Sequence, residues 1–458
     1  MRLKLEYWPM VLVGMSVVGS AQGAGFYIAE QSASGLGQAF AGEVAQARDV
    51  STVNSNPAGM TALNDGVHVA VVAHGIAPSA EFSNSGSQLN QTLTIVPTAL
   101  GGANAENDPP AAVPNFYASI PVSDTLVAGF GVTVPFGLST KYNEQWVGRY
   151  HAVDNEIKTF NYNLALGWKV NDQWSVGGGL NYQTFEVSLG NKVDSFAACA
   201  AAASALGAPV VASCGALGGA GVAANDTSLT ITGEDEQWGL NLGLIYEPTD
   251  TTRVGLSWRQ GMDYDLSGEA RFERSAGCAG NAFCAGVTGN NDVTAKLDLP
   301  DVYSIGVVTE VAPKVRVSAD VSFYTWSDVQ QIEIEFVGAP ARNRTLDLQW
   351  NDTYRIGLGV EYDYREDLTL RAGWAFDESP VENDALQTAR LPDENRYWFS
   401  VGATWRVSPT FSIDAGYTHI EMDDIGINNA SPLTSNHTLT GSYEATVDIL
   451  SVQANVKF

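Results

Sequence analysis

From Val67 to the last residue, apolar side chains return at every second position in one short segment after another. One segment reads Phe160-Tyr162-Leu164-Leu166-Trp168, the next Trp174-Val176-Gly178-Leu180-Tyr182, and the last Leu450-Val452-Ala454-Val456-Phe458. A period of two is the signature of a strand with two unlike faces. Fourteen such segments can be counted by parity. Their other face carries Arg253, Arg316, Asp320, Arg355, Glu361, Arg371, Arg396 and Asp414 among many Gly, Ser and Asn. A soluble sandwich alternates too, so the connections decide. PVSDT (121–125), NDQ (171–173), EPTDTT (247–252), APK (312–314), YRED (364–367) and VSPT (407–410) are short, and every other connection is long. An even strand count with short turns at one end and long loops at the other is the pattern of a transmembrane β-barrel. Segments of about 9–11 residues suit a tilted crossing of the bilayer. Trp168, Trp174, Tyr246, Tyr362 and Trp405 sit close to the short turns, where an aromatic girdle belongs. Closure leaves no unpaired backbone edge in lipid, which is what allows strands to span it.

The first 23 residues, MRLKLEYWPMVLVGMSVVGSAQG, have a basic start, an apolar run and small residues at Ala21 and Gly23, and read as a secretory signal. The net charge is -27 over 458 residues. That acidity argues against nucleic acid as a partner and offers no polybasic surface for anionic lipid. The charge-free stretch 197–224 is long enough for a membrane helix. Its Ala, Gly and Ser, with Pro209 inside, suit a loop with short helical pieces better. In an exported chain, cysteines pair by default, and four permit three connectivities. The sequential one, Cys199–Cys214 and Cys278–Cys284, closes the shortest loops and is the expectation. Neither pair has neighbours at metal-ligand spacing, so no metal and no cofactor are expected.

Residues 24–65 do not alternate. They are rich in Ala, Gly and Ser, and Asn56-Pro57-Ala58 has the form of a helix start, with Asn as cap and Pro in the first turn. On composition they could be a periplasmic tail or a plug for a barrel too wide to be filled by its own side chains. Another irregularity falls within the third segment. Its alternation runs unbroken from Leu126 through Phe130, Val132, Val134, Phe136 and Leu138, yet Pro135 and Gly137 stand between. Proline cannot donate to a ladder, so it belongs at an edge, a strand end or a bulge. Periodicity alone allows either a kink within the membrane or a strand that has already left it.

The segment AGFYIAEQSASGLGQAFAGEVAQARDVSTVNSNPAGM resembles the N-terminal hatch of the long-chain fatty acid transporter (FadL) family, including the Asn-Pro-Ala motif. The likeness continues through DTYRIGLGVEYDYREDLTLRAGWAFDESPV and LPDENRYWFSVGATW. It implies an all-β fold: a monomeric, fourteen-stranded antiparallel transmembrane barrel (66–458), plugged by a small N-terminal hatch (24–65). It implies an outer-membrane channel through which hydrophobic molecules, long-chain fatty acids above all, diffuse passively. In that family the third strand is kinked and the cargo leaves sideways into the bilayer, which places the opening at Pro135, Phe136 and Gly137. Lateral exit is physically sensible, since each CH₂ entering water costs about 0.8 kcal/mol. The basic side chains that hold a carboxylate in the family would fall near Asn191 and Leu346. Lys192 and Arg344 are close but out of register, so no head-group ligand carries over. A neutral or aromatic hydrocarbon, as in other branches of the family, is the alternative cargo. The loops at 187–236 and 265–299 are expected to form the outer landing surface. No G-x-S-x-G, H-E-x-x-H or phosphate-binding loop is present, His151 reads as an exposed loop residue, and an enzyme is not expected. A general porin and an adhesin or phage receptor are the remaining alternatives.

Overall fold

The computed structural model describes residues 25–89, 110–430 and 437–458; the signal segment 1–23 lies outside the described residues. The first strands are β1 (His68–Asn84), β2 (Ala111–Ser123), β3 (Leu126–Thr133, continued by Gly137–Lys141), β4 (Asp154–Lys169) and β5 (Trp174–Val193). Next come β6 (Thr227–Thr249), β7 (Thr252–Arg259, continued by Asp263–Glu273) and β8 (Asn291–Asp298, continued by Val302–Ala312). β9 (Val315–Tyr324, continued by Gln331–Phe336) leads to β10 (Arg344–Asp347, continued by Thr353–Arg365) and β11 (Leu368–Asp377). β12 (Arg396–Ser408), β13 (Phe411–Met422, continued by Ile425–Ala430) and β14 (His437–Lys457) complete the set. Each pairs antiparallel with its chain neighbour, and β14 pairs with β1 from Val456↔Val69 to Gly441↔Asn84. The wall is a closed barrel of fourteen strands.

The two faces divide as the parity requires. On β4, Leu164, Leu166 and Trp168 are more than half exposed, whereas Asn161 and Asn163 on the other parity are fully enclosed. The enclosed amides form a ladder across three strands, Asn163 Nδ2 donating to Asn181 Oδ1 (2.8 Å) and to Asn241 Oδ1 (2.9 Å). Near the short turns Trp174 stacks on Tyr246, ring centroids 4.3 Å apart.

The strands run well past the bilayer, β6 for 23 residues and β5 for 20. Much of 187–236 and 265–299 is therefore ladder, and the connections proper shrink to 194–226 and 274–290. Hydropathy marks only the part of a strand that touches lipid. Above it Glu186, Glu234, Glu236 and Asp265 end the apolar alternation without ending the hydrogen bonds. The two shortened connections pack together through Phe196, Leu217 and both disulfides, Cys199–Cys214 and Cys278–Cys284.

Residues 25–63 fold inside the barrel. They form α1 (Ala33–Leu36), α2 (Glu43–Gln46), α3 (Thr52–Ser55) and a 3₁₀ turn at Pro57–Leu63. Single turns of helix do not persist unaided in water, so the lumen wall has to hold them. Gln38 Nε2 donates to Ser318 Oγ (2.9 Å), Arg253 Nη1 to the Gln46 carbonyl (2.9 Å) and Arg259 Nη2 to the Asn54 carbonyl (2.9 Å). Arg48 lies 3.3 Å from Glu361, which also pairs with Arg371 and Arg316 at 2.6 Å. The polar parity of the strands is thus the hatch's docking surface.

Candidate functional site

Asn56, Pro57 and Ala58 pin the hatch against β5 and β6. Asn56 is fully buried, and its Oδ1 caps the 3₁₀ turn by accepting from the Ala58 N–H (3.1 Å). Its Nδ2 donates to the carbonyls of Val44 (2.7 Å) and Leu244 (3.1 Å), the latter in the wall. Such close approach needs glycine opposite. A Cβ on Gly243 would fall 1.9 Å from Asn56 Oδ1, and one on Gly177 would fall 2.4 Å from the Ala58 nitrogen.

Pro135, Phe136 and Gly137 mark an interruption of the wall. The β3–β4 ladder stops at Thr133↔Asn161 and resumes at Gly137↔Lys158, four steps on β3 against three on β4. One extra residue is a bulge, and a shift of one residue exchanges the faces of a strand. Leu126, Ala128, Phe130 and Val132 lie opposite the lipid-facing residues of β4, but Leu138 pairs with Ile157 and points inward. The unbroken alternation of the sequence therefore does not describe one face. Val134, Phe136 and Leu138 are each no more than 5 % exposed, buried in the lumen. On the opposite side β2 pairs with β3 only up to Phe116↔Val132, so Ala111–Asn115 face β3 without a ladder.

The start of the hatch fills this gap. Ile28 N–H donates to the Pro135 carbonyl (2.8 Å), and Gly137 N–H donates to the Phe26 carbonyl (3.0 Å). Thr159 on β4 reaches in to accept from Phe136 N–H (3.0 Å) and to donate to its carbonyl (2.7 Å). Asn115 Nδ2 and Tyr117 Oη on β2 bond the Gln31 carbonyl at 3.3 and 2.9 Å. Phe26 packs on Phe136 (5.7 Å between centroids) and Trp326 (5.3 Å), and Tyr27 packs on Phe136 (5.4 Å). Glu30, in the same stretch, is fully buried and neither carboxylate oxygen has a hydrogen-bond partner among the described residues.

Behind Phe26 and Leu138 lies a cavity of about 100 Å³. Its wall is almost wholly apolar, built from the upper parts of β4–β10 and including Phe185, Leu297, Ile334, Leu346 and Trp350. Arg390 is the one charged residue lining it, carried by the connection between β11 and β12 that folds back into the lumen. Burial pushes the Arg390 guanidinium down to about 10, so it stays cationic at neutral pH. Of the expected basic positions, Leu346 is part of the apolar wall, and Asn191 Oδ1 accepts from Arg390 Nη2 (3.1 Å). Lys192 is engaged elsewhere, with Glu144 (2.9 Å) and Ser228 (2.8 Å), and Arg344 donates to the Asn343 carbonyl (2.8 Å). Arg390 was invisible to motif reading because it lies outside every strand, although TARLPD is the only basic break in a long acidic and neutral connection. His151 is a further correction. It is 7 % exposed, with Nε2 3.0 Å from His437 Nδ1, because the connection after β3 tucks under β14 instead of standing in solvent.

A closed barrel with a lipid-facing apolar band, a folded plug and an internal apolar cavity defines an outer-membrane transport protein. Residues 14–458 match the family described as outer membrane protein transport protein (OMPP1/FadL/TodX), and the chain belongs to it. It is 28% identical over 419 residues to the long-chain fatty acid transport protein of Salmonella typhi, spanning 89% of this chain and 90% of that one. It is 30% identical over 410 residues to the 47 kDa outer membrane protein of Pasteurella multocida, with 88% and 89% covered. In structure it superposes on a Pseudomonas aeruginosa FadL homologue with a TM-score of 0.81 at 22% identity, over 95% of this chain and all of that one. The toluene transporter TodX of P. putida gives 0.62 at 16% identity, over 89% and 94%. The protein resides in the outer membrane.

Proposed function

We propose that the chain is a passive, non-enzymatic channel for long-chain fatty acids, which enter the apolar cavity from outside and leave sideways through the interruption in β3. The observation that carries this reading is continuity. Phe26 and Leu138 line the cavity, and the same two residues flank the break at Pro135–Gly137. Only the hatch stretch Phe26–Gln31 stands between the cavity and the gap bordered by β2 and β3. That stretch is hydrogen-bonded to β2 and β3, but it buries the Glu30 carboxylate without a hydrogen-bond partner, at a cost of about 1–3 kcal/mol or more. The unpaired carboxylate favours displacement of this stretch from the gap. Cargo passing this way stays in apolar surroundings from cavity to bilayer, with outer-membrane lipid as the receiving phase. One closed barrel contains the whole path, so the working unit is a monomer.

Deleting Pro135 tests the reading. The deletion removes the extra residue, lets β3 and β4 pair without a bulge, and keeps Leu138 facing inward. In cells lacking their own carrier, labelled oleate uptake is expected to depend on this gene and to fall to the carrier-free level on deletion. Uptake of labelled toluene or an alkane but not oleate would move the cargo to neutral hydrocarbons. Undiminished oleate uptake by the deletion variant would refute the lateral route.

A further inference from the structure

Among the described residues five arginines are buried: Arg149, Arg355, Arg371, Arg390 and Arg396. Four have a carboxylate within 4.0 Å: Asp226 for Arg149, Asp320 for Arg355, Glu361 for Arg371 and Asp393 for Arg396. Arg390 has none. Its Nη1 donates to Asn155 Oδ1 and its Nη2 to Asn191 Oδ1, and Thr140 Oγ1 donates to its carbonyl oxygen (2.7 Å). Two neutral amides position the guanidinium without neutralising it, and they use two of its five N–H donors. Burying a cation in apolar surroundings is costly unless an anion joins it. Here the surroundings are the apolar cavity, whose other lining residues are all uncharged.

We propose that Arg390 is the anchor for the anionic head of the cargo, so that the site selects a carboxylate joined to a long apolar tail over a neutral molecule of the same shape. The inference rests on the cavity being the cargo site. Its chemistry is complementary in both parts: a planar fork of donors suits a carboxylate, and an uncharged apolar wall suits the alkyl chain. Asn155 on β4 and Asn191 on β5 are positioning residues that aim the fork.

The test uses the mature protein in amphipol, with 9,10-dibromostearate and its methyl ester as quenchers of tryptophan fluorescence, since Trp350 lines the cavity. The unsubstituted protein should bind the acid at least about tenfold more tightly than the ester, the scale of one charge-assisted hydrogen bond. Arg390→Gln should abolish the preference by weakening the acid alone, and Arg390→Lys should retain part of it. The heat-dependent gel mobility of a folded barrel, read on the same samples, shows that the variants fold. An acid preference that survives in Arg390→Gln would overturn the assignment while leaving the cargo site intact. Quenching by neither compound in the unsubstituted protein would overturn the cargo reading itself, and the anchor with it.

Discussion

Replacing Gly243 by alanine adds one methyl group at the most crowded contact between hatch and wall. The new Cβ would lie 1.9 Å from Asn56 Oδ1, 2.9 Å from its Cγ and 3.1 Å from Pro57 Cδ, all far inside van der Waals contact. Asn56 cannot retreat, because its Nδ2 is bonded to the carbonyls of Val44, Leu244 and Leu256 and the neighbouring turn rests on Gly177. The hatch must shift, and it then loses the Asn56 cap, worth about 1 kcal/mol. It also loses the two hydrogen bonds that an NH₂ group can make, about 1 kcal/mol each. The sum of about 3 kcal/mol corresponds to roughly a hundredfold change in the ratio of displaced to docked hatch. Single-channel recording in planar bilayers reads that ratio. The unsubstituted protein should be closed nearly all the time, and Gly243→Ala should show frequent openings while the folded barrel keeps its resistance to heat in detergent. Asn56→Ala should open it to a similar extent. The double variant should be no worse than either alone, since both changes act through one side chain. A Gly243→Ala protein as silent as its parent would refute the steric reasoning, and additive effects in the double variant would refute the shared path.

Face assignment is open to direct test on β4. Leu164, 62 % exposed and five residues from the periplasmic end of the strand, should cost about 2–4 kcal/mol of folding stability in lipid vesicles when changed to arginine. Asn163→Ser, on the lumen face, should cost far less, and equal costs would contradict the division of the wall. His151 sets an acid limit on the outer segments. Burial first, then His437 and Arg390, hold its ring well below its ordinary value of 6.5, so the docked connection carries it neutral. Once undocked it takes up a proton near 6.5, and docking is favoured above that value and weakens as the pH falls below it. Protease nicking of the outer connections should rise as pH falls from about 7.5 to about 5.5, and His151→Gln should flatten that profile.

The strand count, the closed topology and the two faces of the wall were legible because lipid imposes a period of two on every strand it touches. The hatch was legible from composition and from Asn56-Pro57, whose cap chemistry is local. Three things were not. In the upper ladders of β5 and β6 the apolar residues Phe185, Val187, Leu229 and Ile231 stand on the inner parity and the outer parity turns polar, so a count by the lipid-facing parity stops short of them. Arg390 reaches the cavity from a connection, and no period places a connection in space. His151 was read by its position between strands, whereas its burial depends on β14, almost three hundred residues away.

The third segment is the most instructive, because its one unbroken alternation belongs to two surfaces, lipid up to Val132 and lumen beyond it. A bulge of one residue exchanges lipid for lumen, and an ordinary barrel strand should then change from apolar to polar on the same parity. Val134, Phe136 and Leu138 do not change. Apolar side chains that continue on one parity through a proline require either a straight strand in lipid or a bulged strand beside a greasy lumen. Pro135 excludes the first wherever the strand is paired on both sides. A strand that has already left the membrane is the remaining case open to periodicity, and the register decides among them. The β3–β4 ladder breaks at Pro135, and the interior is apolar just beyond it, where Phe136 meets Phe26 and Leu138 meets the cavity.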